Sequence, residues 1–219
     1  MTFLNRENLH KWRKSHWNEQ VKTRNLYYLT PVKNLYSVLE LGILSRREVE
    51  KLQIENDDFS ISNIQAIRAN KTVELSDKSK RKLHELVPLF FNKNNATIKT
   101  KAKRLEDDKL CILEIDYQVI LDEEIDTELV ISIGNASTSE NFVRNLSHFE
   151  KEIKIDVKNI IEEEIDDYWR YKNERMSELL IYPKIRKEFI KKIFVSNKKN
   201  LPKDIKLNKE VFEDISLFK

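Results

Sequence analysis

Only two of the 219 residues are glycine, Gly42 and Gly134, and that scarcity narrows the possible folds more than any other feature. Glycine lets backbone approach a phosphate closely or take a positive φ without strain. A Walker-type phosphate loop, or the fingerprint that opens a dinucleotide-binding βαβ unit, needs several glycines within a few residues. Two glycines 92 positions apart build neither. If this chain holds a nucleotide, another scaffold must do it. Four prolines and two glycines also exclude collagen-like and low-complexity chains.

A hydrophobic share of 40% against 35% charged residues fits a globular chain that can bury a core. The net charge of +3 is too mild to identify a nucleic-acid partner by itself. A single cysteine, Cys111, rules out an internal disulfide and a cysteine-built zinc site. It lies within an apolar run and reads as an inert core thiol. The four histidines are scattered without metal-ligand spacing, so no metal is expected. The Met-Thr-Phe-Leu-Asn-Arg start lacks a signal-peptide core, and no apolar run has membrane-spanning length. A cytoplasmic location is the expectation.

Residues 1–24 form a basic segment carrying Trp12 and Trp17, either a short docking helix or a nucleic-acid arm. Residues 25–219 read as one α+β domain with no internal repeat and no linker. Leu26–Thr30 is a strand that Pro31 ends. Leu35, Val38, Leu39 and Leu41 mark a helix face, with Gly42 as its C-terminal cap. Ser45 starts another helix, with Glu48 three residues on. Residues 53–82 are polar and turn-rich and read as a long functional loop. Leu86–Asn92 is a strand that, carrying Pro88, should start or border a sheet. Leu110–Ile115, Leu129–Ile133 and Glu178–Ile181 are further strands, residues 149–165 suit an amphipathic helix, and Phe189–Val195 begins a helix-to-strand unit.

Carboxylates are common here, and Glu162–Glu164 read as a solvated helix face. Glu178 differs because it opens an apolar strand next to a charged segment. It is either a surface strand end or a catalytic carboxylate.

Several of these features fall in an order that resembles one family. Leu26-Tyr27-Tyr28-Leu29-Thr30-Pro31 leads to Asn34-Leu35 and a helix closed by Gly42-Ile43-Leu44-Ser45. Ile64-Gln65-Ala66-Ile67-Arg68 follows, then Leu83-His84-Glu85-Leu86-Val87-Pro88-Leu89-Phe90-Phe91-Asn92. Gly134-Asn135-Ala136, Tyr168-Trp169 and Ser177-Glu178-Leu179-Leu180-Ile181 come later. Over about residues 26–196 the chain resembles the DarT family, bacterial toxins that transfer ADP-ribose from NAD to a base in single-stranded DNA. It departs from the family pattern at Pro31 and Tyr28, in the Lys93–Thr97 turn, and at Ile67 and Asn70.

The resemblance implies an ADP-ribosyltransferase fold, a split and strongly bent mixed β-sheet with surrounding helices and NAD in the cleft. It implies Glu178 as the catalytic glutamate and Arg68 as the important arginine. Tyr27, Tyr28, Thr30 and Asn34 are expected around the nicotinamide ribose. His84 is either a further cofactor contact or a structural cap, and Tyr168 and Trp169 are either core aromatics or a stacking platform for a base. The acceptor strand would need cations, and Lys71, Lys80, Arg81, Lys82, Lys101, Lys103, Arg104 and Arg175 could supply them or merely solvate the surface. The same chemistry on RNA or a protein side chain, or an inactive binding relative, are the alternatives. The family also implies a separate antitoxin protein and a role in toxin–antitoxin or phage-defence systems.

Overall fold

The computed structural model describes residues 24–58, 61–75, 78–105, 109–122, 128–143, 160, 170–205 and 207–219. The segment with Trp12 and Trp17, Tyr168 and Trp169, and all of the 149–165 helix except Ile160 lie outside them.

The apolar runs become an eight-stranded mixed sheet. Its strands are β1 (Leu26–Pro31), β5 (Val87–Phe90), β6 (Leu110–Ile115), β7 (Glu128–Ser132), β8 (Phe142–Val143), β9 (Glu178–Tyr182), β11 (Ile190–Val195) and β12 (Glu210–Glu213), in the order β12-β11-β6-β1-β5-β9-β7-β8. Among the described residues only β11 and β12 pair in parallel. β6 is buried at all six positions, as its unbroken apolar run predicts. Alternation sends Leu26, Val87, Leu89, Leu113 and Ile131 into the main core on one face. Tyr27, Leu29, Phe90 and Ile112 enter a second core on the other.

Two small sheets complete the strands, β2 (Ile43–Leu44) with β10 (Lys184–Ile185), and the hairpin of β3 (Thr72–Glu74) with β4 (Lys80–Lys82). Helix α1 (Leu35–Leu41) ends as expected at Gly42, whose φ is +85° and whose N–H donates to Val38 O at 2.9 Å. A Cβ at Gly42 would stand 2.3 Å from the Ile185 carbonyl, so only glycine permits the β2–β10 approach. Helix α2 (Arg46–Lys51) is capped by Ser45, whose side chain accepts from the Glu48 N–H.

Two expectations are corrected. Residues 53–82 are not one long loop, because they contain helix α3 (Ser62–Asn70) and the β3–β4 hairpin. The helix buries none of its residues, so an apolar face gave no warning of it. Pro88 does not border the sheet either, since β5 runs between β1 and β9. The ladder from β1 to β5 has a single registered pair, Tyr27↔Phe90. The next step would set Leu29 against Pro88. The proline therefore stands where the two strands part, and a residue without an N–H costs no ladder bond there. This parting is the expected split of the sheet, and it opens the cleft.

The basic stretch after Asn95 is helix α4 (Ala96–Leu105), with Ile98 and Ala102 packed one turn apart into the second core. Asn95 accepts from the Thr97 N–H at 2.7 Å, which satisfies a first-turn donor. Among the described residues no helix is long and apolar enough to cross a membrane.

Candidate active site

The parted strands open onto a cavity of about 520 Å³. Glu178 stands on its wall at the first position of β9, in register with Phe90 on one side and Ser132 on the other. At 2% exposure it is no surface strand end.

A burial this deep needs partners for the carboxylate. Arg68 of α3 donates from Nη1 to Glu178 Oε2 at 3.1 Å, and its own side chain is 11% exposed. The Ala136 N–H donates to Oε1, also at 3.1 Å. Both carboxylate oxygens are thus engaged.

The turn that supplies Ala136 is built by the second glycine. Ser132 Oγ accepts from the Glu178 N–H at 3.2 Å and donates to the Gly134 carbonyl at 2.8 Å. The Gly134 N–H donates to Ser177 Oγ at 3.0 Å. Gly134 has a φ of +79°, and a Cβ there would come 2.4 Å from Asn173 Oδ1. Gly134→Ala is expected to cost about 1–2 kcal/mol of backbone strain before any clash. In a chain of this size that lowers the melting midpoint by a few degrees. Transfer activity should fall further than stability, because the Ala136 N–H shifts away from Glu178. A differential-scanning melt beside an activity assay checks both.

The opposite wall comes from β1 and the turn after it. Tyr28 and Thr30 line the cavity, on the strand face opposite Tyr27. Withdrawal from water pushes the Tyr28 phenol up to about 12, so it presents an O–H donor. Tyr27, expected beside them, is packed in the second core with Leu29 and Phe90 instead. Alternation alone does not decide this, since Leu29 and Phe90 on the same face do line the cavity.

Asn34 lines the cavity and clips a loop across it. Its amide donates to the Asp57 carbonyl at 3.0 Å and accepts from the Asp57 N–H at 2.8 Å. Arg46 ties the same loop through Asp58 at 2.7 Å. His84 meets Gln65 Oε1 through Nε2 at 2.7 Å, which links its turn to the helix that carries Arg68. Burial and then the nearby Arg46 and Arg68 guanidiniums lower its pKa, which favours the neutral ring.

The expected strand-binding cations divide into two groups. Lys80, Lys82, Lys103 and Arg104 are exposed, and the Arg81 guanidinium lies 4.6 Å from the Tyr182 ring centroid. The other three lie apart from that exposed set. Arg175 is 1% exposed, packed within the chain where no strand can reach it from solvent. Lys71 donates to the Ser137 and Ser139 carbonyls and fastens that loop. Lys101 lies on the cavity wall with Thr97 and Thr100. Their i, i+3, i+4 spacing would have shown a shared face had residues 96–105 been read as a helix. The Ala136 N–H left no side-chain signal at all.

A family model described as "ssDNA thymidine ADP-ribosyltransferase, DarT" matches residues 27–211. A "DNA ADP-ribosyl transferase-DNA ADP-ribosyl glycohydrolase fusion protein" from Thermosipho africanus is 31% identical over 179 residues, which is 80% of this chain and 43% of that protein. The structure of Thermosipho africanus DarTG in complex with ADP-ribose superposes with a TM-score of 0.68 at 27% identity, covering 89% of this chain and 51% of that one. Thermus sp. 2.9 DarT in complex with ADP-ribosylated ssDNA gives a TM-score of 0.69 at 16% identity, covering 93% of this chain and 98% of that one, a likeness of fold. The chain therefore spans about half the length of the Thermosipho relatives it matches.

Proposed function

Because this chain belongs to the DarT family, we propose that it is an NAD-dependent ADP-ribosyltransferase that modifies a thymine base in single-stranded DNA. The observation that carries this reading is the Arg68–Glu178 pair at 3.1 Å on the wall of a cavity large enough for a dinucleotide. The expected split sheet supports it, since that split makes a nucleotide cleft without a glycine-rich loop.

The reaction replaces nicotinamide at the anomeric carbon of its ribose, and the ribose ring takes on positive charge as nicotinamide leaves. Glu178, held in place by Arg68 and the Ala136 N–H, stabilises that charge at fixed distance in a site shielded from water. Arg68 orients Glu178 and offers its remaining donors to the dinucleotide or the base. Tyr28 and Thr30 border the ribose pocket, and Asn34 holds the 54–58 loop over it. His84 supports α3 through Gln65. Residues 25–219 serve as the catalytic unit.

An unpaired base enters such a cleft without the cost of leaving a duplex, which favours a single strand. The family description and the fusion relative both name DNA, which supports DNA over the RNA alternative. The fusion relative joins a DNA ADP-ribosyl transferase to a DNA ADP-ribosyl glycohydrolase, which supports a toxin role opposed by an antitoxin that removes the mark. Mass spectrometry after incubation with NAD should show one ADP-ribose added to a thymidine-containing oligonucleotide and none to its thymidine-free counterpart. Equal modification of both would overturn the thymine assignment.

The strand would follow the exposed cations. Changing Lys80, Arg81 and Lys82 together to glutamate, or Lys103 and Arg104, should weaken oligonucleotide binding and leave NAD binding unchanged. Each lost phosphate contact lowers the salt slope by about 0.7 for a single strand. A salt titration of wild type and both variants measures this, and coincident slopes would mean that the strand runs elsewhere.

A further inference from the structure

Glu178 is gripped from two elements that lie far apart in the chain. Arg68 reaches Oε2 from α3, and the Ala136 N–H reaches Oε1 from the turn after β7. The carboxylate keeps one position only if those two elements keep a fixed spacing. Apolar packing holds α3 weakly, because the helix buries none of its residues. Polar ties are left to set its place.

Lys71 joins the two elements. It ends α3, three positions beyond Arg68, and its N–H donates to the Ile67 carbonyl at 2.9 Å. Its own carbonyl accepts from the Leu83 N–H at 3.0 Å, and Leu83 is buried in a cluster that also holds Val73 and Ala136. With its backbone fixed in this way, Lys71 sends its amine to the loop that follows Ala136. The amine donates to the Ser137 carbonyl at 3.3 Å and to the Ser139 carbonyl. It also lies 5.2 Å from the centroid of the Phe142 ring, within cation–π range.

Asn135 closes the same loop from inside. Its Oδ1 accepts from the Ser137 N–H at 3.0 Å, and its carbonyl accepts from the Ser139 N–H at 2.8 Å. The contacts form a closed circuit. It runs from Glu178 through Arg68, α3, Lys71, the 135–139 loop and Ala136 back to Glu178.

We propose that Lys71 is a positioning residue of the transfer, its amine holding the Ala136 turn against the helix of Arg68 so that both grips on Glu178 are kept. This rests on the function proposed above. A charged donor binds a carbonyl more strongly than a neutral one does, so the tie suits an ammonium. Two of its three donors are turned to its own chain, which sets it apart from a cation that waits for a phosphate. Without the amine the loop loses its hold on α3, and the Ala136 N–H moves with the loop. A shift of about 1 Å at a distance from the chemistry can cost about a hundredfold in rate.

The test compares wild type, Lys71→Met and Lys71→Arg. It measures kcat and KM for transfer to a thymidine oligonucleotide, the salt dependence of oligonucleotide affinity, and a thermal melt. Lys71→Met should lose about tenfold to a hundredfold in kcat, with KM for the oligonucleotide and the salt slope unchanged. Lys71→Arg should recover most of the rate, because a guanidinium can donate to both carbonyls and stack on Phe142. A residue that only stabilised the fold would lower the melting midpoint and leave kcat intact well below it. A strand contact would raise KM for the oligonucleotide and make the salt slope shallower by about 0.7. Either result would overturn the proposal, and so would Lys71→Arg as slow as Lys71→Met. If Lys71→Met does not fold, Lys71→Gln takes its place, since its amide can still meet one carbonyl, and the same outcomes decide. If wild type transfers nothing to the oligonucleotide, the proposed function has failed and this inference with it. Wild-type transfer beside unaffected Lys71 variants refutes the inference alone.

Discussion

Glu178→Gln should lower the rate of transfer by about a thousandfold, roughly 4 kcal/mol of lost transition-state stabilisation, and leave the fold standing. Glutamine has the shape of glutamate and retains an oxygen that can accept from the Ala136 N–H or from Arg68. The charge is removed and one acceptor oxygen becomes an NH2 donor, and the charge is what opposes the cation forming on the ribose. A steady-state assay with a melting curve separates the two quantities. NAD affinity should change little, because the loss lies in the transition state. A glutamine variant with near-native kcat would show that the carboxylate is not the stabilising group.

Arg68→Ala should reduce both activity and stability. Glu178 is 2% exposed, and without the guanidinium its charge keeps only the Ala136 N–H. Removing one partner of a buried ion pair costs about 3–5 kcal/mol, mostly the cost of the charge left behind. Arg68→Lys provides the sharper comparison. It restores a positive charge and most of the stability, but it lacks the planar fork that can hold Glu178 and a substrate oxygen together. We expect Arg68→Lys to melt close to wild type and to transfer poorly, with weaker thermal stabilisation by NAD. Equal activity of Arg68→Lys and wild type would reduce the arginine to a counter-charge.

The elements that the sequence made legible are those whose signals are local. β1, β6, β7 and β9 are continuous apolar runs, and each became a buried strand. Gly42 and Ser45 are caps whose chemistry acts within one turn, and both caps formed where expected. Helix α3 was missed because it buries no residue, so it carries no apolar stripe. Pro88 misled because a proline ordinarily marks a sheet edge, whereas here the β1–β5 ladder itself opens.

The site divides in the same way. Arg68 and Glu178 were found through resemblance, and they meet across 110 positions of sequence. Alternation puts Tyr27 and Tyr28 on opposite faces of β1 but does not tell which lines the cavity, since Leu29 on Tyr27's face lines it too. Arg175 could not have been separated from the surface cations, since a basic residue gives no sign of its burial, whereas Lys101 needed residues 96–105 to be read as a helix. The cores decided their burial, by turning α4 and by packing the segment before β9 around Arg175.

The most direct measurement offers labelled NAD to wild type and Glu178→Gln, each with separate pools of single-stranded DNA, RNA and protein. Label should pass from wild type to DNA alone, in proportion to its thymidine content, and Glu178→Gln should transfer almost none. Label on protein or RNA in place of DNA, or equal labelling by the two enzymes, would contradict the proposed function.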